Sequence, residues 1–203
     1  GGVSIYLFAL FFIDDPNLNF IIYCSMLILI IGVIDDIFDI HFSYRLFFQS
    51  IIILIAIDYG IIVEELSDFN YFQNIQLGFF GIVLTFICIA GLTNSLNFID
   101  GSDGVCASTV SISFLNIILF SLISNSEINW KFFYLILVYL FIFIIFNTFT
   151  SKYKIFLGDS GSTFFGFILS LCLIYFTSSN VEYFNPILVI WCVTLPVYDL
   201  LSV

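Results

Sequence analysis

The sequence predicts an all-α fold, a polytopic transmembrane helical bundle in one domain over residues 1–203. Three observations predict it. Hydrophobic residues make up 62% of the 203-residue chain and charged residues 9%, with a mean hydropathy of +1.18. Soluble domains sit near roughly 45–50% and about 25%. Apolar runs of about 17–20 residues recur between short polar stretches, which is the length a helix needs to cross a bilayer. Residues 50–57 (SIIILIAI) and 139–146 (YLFIFIIF) are apolar at every position, whereas the strands of a membrane barrel alternate.

A window of about 19 residues places about eight spans, at 3–13, 18–34, 46–63, 77–95, 105–123, 132–149, 162–177 and 186–200. The first is short. No long polar stretch marks a second domain, and no internal repeat of the transporter kind is visible. The chain opens at Gly1-Gly2 and stops at Val203 inside an apolar run, so it reads as a fragment truncated at both ends, with no signal peptide. The 28 phenylalanines suit lipid-facing surface. Cys24, Cys88, Cys106, Cys172 and Cys192 lie singly in or beside apolar runs, without a CxxC pair. They read as packing residues and support neither a disulfide framework nor a zinc site.

Charge narrows the function. Four Lys and Arg against 15 Asp and Glu leave a net charge of −11, which excludes binding to a nucleic-acid backbone. Carboxylates are costly in so apolar a chain, so their placement is informative. If every span crosses, one face receives the loops at 35–45, 97–104 and 150–161 and the end near Asp199. Arg45, Lys152 and Lys154 fall on that face and only Lys131 on the other, which makes the first face cytoplasmic. Asp14, Asp15, Glu64, Glu65, Asp68, Glu127 and Glu182 lie on the second face among Asn, Ser and Tyr, as solvated loop charge.

Three acidic clusters on the first face carry the chemistry. In GVIDDIFD, from Gly32 and running on through Tyr44-Arg45 to Gln49, the adjacent Asp35 and Asp36 cannot both ionise cheaply without a cation or donors nearby. Two water-facing caps are the alternative reading. In NSLNFIDGSDG, Asn94, Asn97 and Asp100 follow at intervals of three, so a helix stacks them on one face. Gly101 and Gly104 then permit a turn presenting Asp100 with Asp103. Such a set suits a sugar, a nucleobase edge or hydrated Mg2+; it lacks the ligand pattern of an EF-hand, and a purely structural turn is the alternative. In KYKIFLGDSGS, from Lys152, a glycine-rich turn opens a helix whose N–H groups and dipole favour phosphate. Asp159 there makes sense as a metal ligand bridging to phosphate, with a helix cap as its alternative. No P-loop pattern is present. Together the clusters point to metal-assisted phosphoryl transfer at the membrane boundary. A cation- or proton-coupled secondary transporter would use the same carboxylates, but near the bilayer midplane rather than at span ends beside glycine turns.

These stretches, in order with Gly1-Gly2 and with LPVYDL at 195–200, resemble the polyprenyl-phosphate N-acetylhexosamine-1-phosphate transferases, a glycosyltransferase family 4 group, over nearly the whole chain. The wording of DDIFDI and YKIFLGDSGST is most similar to the bacterial undecaprenyl-phosphate GlcNAc-1-phosphate branch. The phospho-MurNAc-pentapeptide branch of peptidoglycan synthesis is less similar. The resemblance implies transfer of a sugar-1-phosphate from a UDP-N-acetylhexosamine to undecaprenyl phosphate, with release of UMP, at the start of O-antigen or envelope polysaccharide synthesis. It implies Mg2+, or Mn2+ in its place, with Asp159 as main ligand and Asp35 and Asp36 beside the metal and lipid phosphate. Asn97, Asp100 and Asp103 would hold the nucleotide-sugar, Phe156 would stack on uracil, and Asn94 and Lys154 would support that pocket. It implies a multi-pass protein of the bacterial inner membrane with its site on the cytoplasmic face, and admits a homodimer. The basic and histidine segments expected before Gly1 and after Asp199 lie outside this chain. His41 does not match them and reads as structural.

Overall fold

The computed structural model describes residues 15–66, 75–101, 104–124, 128–149 and 154–177, together with Thr194 and Tyr198. Six helices cover most of them: α1 (Pro16–Phe38), α2 (Phe42–Asp58), α3 (Phe79–Ile99), α4 (Val105–Ser124), α5 (Trp130–Ile144) and α6 (Gly158–Thr177). A π-helical turn, Ile145–Phe149, continues α5. The strands β1 (Glu65–Leu66) and β2 (Ile75–Gln76) form a short antiparallel pair with Glu65 opposite Gln76.

Each helix begins and ends where local chemistry dictates. At α1, Asp15 Oδ1 accepts from the amides of Asn17 (2.9 Å) and Leu18 (3.4 Å), and Pro16 needs no hydrogen-bond partner there. It ends at Asp39, which adopts a left-handed conformation (φ 49°) and donates its amide to Asp35 O at 2.8 Å. Two residues later, His41 Nδ1 caps α2 by accepting from the Ser43 amide. Asn129 caps α5 through its side chain.

Five helical stretches are long and apolar enough to cross a membrane: Pro16–Phe38, Phe79–Ile99, Val105–Ser124, Trp130–Phe149 and Gly158–Thr177. α2 is apolar too but has only 17 residues. Six of the eight expected spans therefore correspond to helices. The span expected at 46–63 is a helix at Phe42–Asp58, because the Asp39 turn and His41 cap start it early and Gly60, at φ 107°, follows its end. The spans at 3–13 and 186–200 lie largely outside the described residues. The chain is thus a multi-pass membrane protein built as an all-α bundle.

α6 is the axis of that bundle. Every residue from Ser162 to Ile174 is buried, so a helix that is apolar almost all round is surrounded by protein. α1 and α3 flank it most closely. Glycine makes this possible: a Cβ on Gly32 of α1 would lie 2.6 Å from Ser160 Cα, and one on Gly166 would lie 2.8 Å from Thr93 Cα. Small residues let backbones approach where packing, not water, drives association. Leu27, Leu54, Ile87, Leu119 and Phe141 face outward, as lipid-facing side chains do. Hydroxyls within the apolar layer turn back onto their own helices, as Thr93 Oγ1 does to Ile89 O at 2.7 Å. At one end of the bundle Asn17 ties three helices together, donating to Tyr175 Oη (3.1 Å) and accepting from Tyr59 Oη (3.1 Å).

The contact at Gly166 sets a first expectation. The atoms a new Cβ would meet there are backbone of α3 (Thr93 Cα and O, Leu92 O), which cannot yield without parting the helices. Gly166→Ala should destabilise the bundle by about 1–3 kcal/mol, read as a lower melting temperature in detergent. Gly91→Ala, where nothing lies within 4 Å, is the matched control and should be tolerated.

Candidate active site

The two acidic stretches farthest apart in sequence meet at one end of the bundle. α1 ends at Asp35 and Asp36, the Asp39 turn reverses the chain, and α2 begins with Arg45 facing back across the gap. Arg45 Nη1 donates to Asp35 Oδ2 at 3.0 Å and to Asp159 Oδ2 at 3.3 Å. Asp159 stands in the first turn of α6, where the helix dipole favours negative charge. A cleft of about 300 Å3 is lined by Asp35, Asp36, Asp39, Ile40, Phe42, Arg45 and Asp159.

The carboxylates differ in setting. Asp35 is 13% exposed at its side chain and Asp159 is 57% exposed. Asp36 is exposed and lies against Gly158: a Cβ there would sit 3.7 Å from Asp36 Oδ2, and Gly158 itself has φ 70°. Gly158 is therefore needed for its left-handed backbone, while the distance to Asp36 Oδ2 is an ordinary contact.

Asp100 closes α3 on the same side. Burial raises its pKa from the ordinary 3.8 to about 6, the charge of Asp159 adds to the rise, and the Gly158 amide opposes it. Asn97, one turn earlier, accepts from Ser162 Oγ at 2.6 Å, which fastens α3 to α6 just below Asp159. Asp35, Asp36 and Asp159 thus share one cleft, and Asp100 is within electrostatic reach of Asp159. Asp103 lies outside the described residues.

The remaining expected residues do not line the cleft. Asn94 is in α3 as its spacing predicts, but its Nδ2 donates to Ala90 O of its own helix at 2.7 Å. Lys154 and Phe156 are exposed on the segment before α6, with the ammonium 5.2 Å from the ring centre. His41 is the α2 cap, the structural role its sequence context indicates.

Sequence reasoning counted Arg45 as a face marker and as part of the stretch that follows Asp39, without giving it a role at the site. Its signal was position: it is the sole arginine of the chain and lies ten residues from Asp35. Asn147 was missed altogether. It is buried in the π-helical turn, where its Nδ2 donates to Ile155 O at 2.8 Å, while Thr148 Oγ1 sits 2.7 Å from where a Cβ on Gly104 would be. These contacts hold the segments before α6 and before α4 against the end of α5, and no motif announces them.

The donor set is one of hard oxygens, which fits Mg2+. Among the described residues no three His, Cys, Asp or Glu converge tightly enough to hold an ion alone. Mg2+ is commonly held by one or two carboxylates, with waters and substrate phosphates completing the shell, so the paired carboxylates of this cleft suffice.

Fold and site define a multi-pass membrane protein with a carboxylate-lined polar cleft at one end of its helices. The chain belongs to glycosyl transferase family 4, whose family model matches residues 18–177. It is 28% identical over 211 residues to the undecaprenyl-phosphate alpha-N-acetylglucosaminyl 1-phosphate transferase of Yersinia pestis, covering 100% of this chain and 58% of that protein. The enzyme of the same name from Escherichia coli strain K12 is 27% identical over 213 residues, with the same coverage. A probable undecaprenyl-phosphate N-acetylglucosaminyl 1-phosphate transferase of Bacillus subtilis is 24% identical over 175 residues, covering 86% of this chain and 48% of that protein. The chain spans about half the length of these curated relatives.

Asp100 gives a pH-dependent expectation for metal-free protein. The folded state holds its proton more tightly than the unfolded chain, so Asp100 costs stability as pH rises from 3.8 to about 6. Asp100→Asn should therefore gain melting temperature relative to wild type across that window and keep a constant advantage above it. An offset that does not vary with pH would contradict this reading of Asp100.

Proposed function

We propose that the protein containing this chain transfers N-acetylglucosamine 1-phosphate from UDP-N-acetylglucosamine to undecaprenyl phosphate and releases UMP. An oxygen of the lipid phosphate attacks the β-phosphorus of the donor, the bond from that phosphorus to the bridging oxygen breaks, and UMP departs with its electron pair. The observation that carries the proposal is the Arg45 guanidinium shared by Asp35 and Asp159 beside Asp36, at the polar end of an apolar bundle. The names of the relatives supply the substrates, and they favour this branch over the phospho-MurNAc-pentapeptide one. Carboxylates gathered at helix ends do not favour a transporter.

Roles follow from setting. Asp159, exposed at the start of α6, is the proposed main Mg2+ ligand, with Asp35 or Asp36 completing the protein's share. The ion would supply charge neutralisation on the donor phosphates. Asp36 is exposed and makes no ion pair among the described residues, so it is the better placed of the two adjacent aspartates to take a proton from the lipid phosphate. Arg45 brings positive charge to the cleft and orients the two carboxylates it binds. The amides opening α6 would receive a phosphate of the donor. Asn97, Asp100 and Asp103 are assigned to the nucleotide-sugar, Phe156 to stacking on uracil through its exposed ring, and Asn94 and Lys154 to support of that pocket.

The lipid-facing aromatics beside the cleft, Phe38, Phe42 and Phe47, give the prenyl tail a lateral approach while the soluble donor enters from water. The cleft is assigned to the cytoplasmic face of a bacterial inner membrane, a reading supported by Arg45, Lys152 and Lys154 in the loops expected on that face against Lys131 on the other. A homodimer is compatible with this arrangement.

UMP release by purified full-length protein, with undecaprenyl phosphate, UDP-N-acetylglucosamine and Mg2+, tests the proposal. Asp159→Asn and Asp36→Asn should each lower turnover about a hundredfold or more, the scale of removing a positioned charge. Wild-type rates in both variants would sink it.

A further inference from the structure

Among the described residues, two buried donors on α2 lack acceptors: Arg45 Nε and Gln49 Nε2. Gln49 is only 4% exposed, so water does not serve it. Such groups are expensive in a protein interior and doubly so in an apolar layer. Their positions are related, because residues four apart lie on one helical face. A long side chain in a helix leans toward the N-terminus, over the preceding turn. The i, i+4 spacing and that lean put the Gln49 side chain over the turn that carries Arg45. The two ends of a carboxamide have nearly the same shape, and half a turn about its last torsion exchanges oxygen for nitrogen.

We infer that Gln49 is a positioning residue for Arg45: its Oε1 accepts the Arg45 Nε–H and fixes the guanidinium so that Nη1 spans Asp35 and Asp159. One bond then provides for Arg45 Nε and turns Gln49 Nε2 away from it. The guanidinium has a reason to need such support. Its Nη1 reaches carboxylates on two different helices, and a four-bond stem held only at its tip would trade one for the other. The catalytic weight of this brace rests on the transferase reading above, whereas the brace itself does not.

The test uses full-length protein in detergent and two variants, Gln49→Met, which keeps the volume without an acceptor, and Gln49→Glu, which keeps an acceptor. The Arg45 Nε–H resonance is identified by its loss in Arg45→Lys. It should exchange slowly with water in wild type and Gln49→Glu, and at least about tenfold faster in Gln49→Met. UMP release should fall about tenfold in Gln49→Met, with recovery in Gln49→Glu. In an Arg45→Lys background, which has no Nε–H, Gln49→Met should cost nothing further. Unchanged Nε–H exchange in Gln49→Met, or losses that simply add in the double variant, would overturn the inference. A wild-type protein that releases no UMP would instead count against the transferase reading, leaving the exchange result to judge the brace.

Discussion

A single guanidinium nitrogen joins aspartates from the end of α1 and the start of α6, and the architecture of the site depends on that junction. Asp159 lies 114 residues from Arg45 along the chain, and its carboxylate and that of Asp35 approach the same Nη1. Without a cation between them, two carboxylates at the edge of a low-dielectric bundle repel. The bundle meets this need with its only arginine, delivered by the shortest route available. The left-handed turn at Asp39 and the His41 cap reverse the chain within a few residues and put Arg45 in the first turn of α2. A slower reversal would place that side chain elsewhere.

The apolar core makes the junction possible. Gly32 and Gly166 let α1 and α3 touch the backbone of α6, which brings Asp35 and Asp100 up to the N-terminus of the helix that carries Asp159. Helix-to-helix distance is set inside the membrane layer by residues with no chemistry of their own. The polar cleft at the end inherits that spacing. Among the described residues, the Ser162–Asn97 bond joins the side chains of α3 and α6, and it lies within one turn of Asp159.

Much of this was legible in the sequence, because hydropathy and carboxylate cost are strong signals in so apolar a chain. The helical stacking of Asn94, Asn97 and Asp100, the glycine turn before Asp159 and the grouping of acids at span ends all follow from spacing. Tertiary facts were not legible. Asn94 satisfies itself on Ala90, and Lys154 stacks near Phe156 outside the cleft, although both lie inside acidic or basic motifs. Arg45 looked like a topological marker because nothing local distinguishes a charge that faces water from one that faces a carboxylate on another helix. Asn147 gave no signal because its partner, the Ile155 carbonyl, is brought to it by tertiary packing rather than by a local pattern.

The α3 and α6 sides of the cleft are tied down about one turn away from it, by part-buried bonds. Asn97 is held by Ser162, the segment entering α6 is held at Ile155 by Asn147, and Thr163 Oγ1 donates to Asp159 O at 2.7 Å. None of these bonds uses the carboxylates themselves. The supporting bonds spend their donors on backbone and amide oxygens, so the acids at the surface of the cleft keep their lone pairs for a cation or a phosphate-bearing partner. Asp100 bears the electrostatic strain: it is partly buried and within reach of the Asp159 charge, with the Gly158 amide as its compensation. A polar site can persist at the boundary of lipid and water when rigidity is supplied from below and charge is left exposed above.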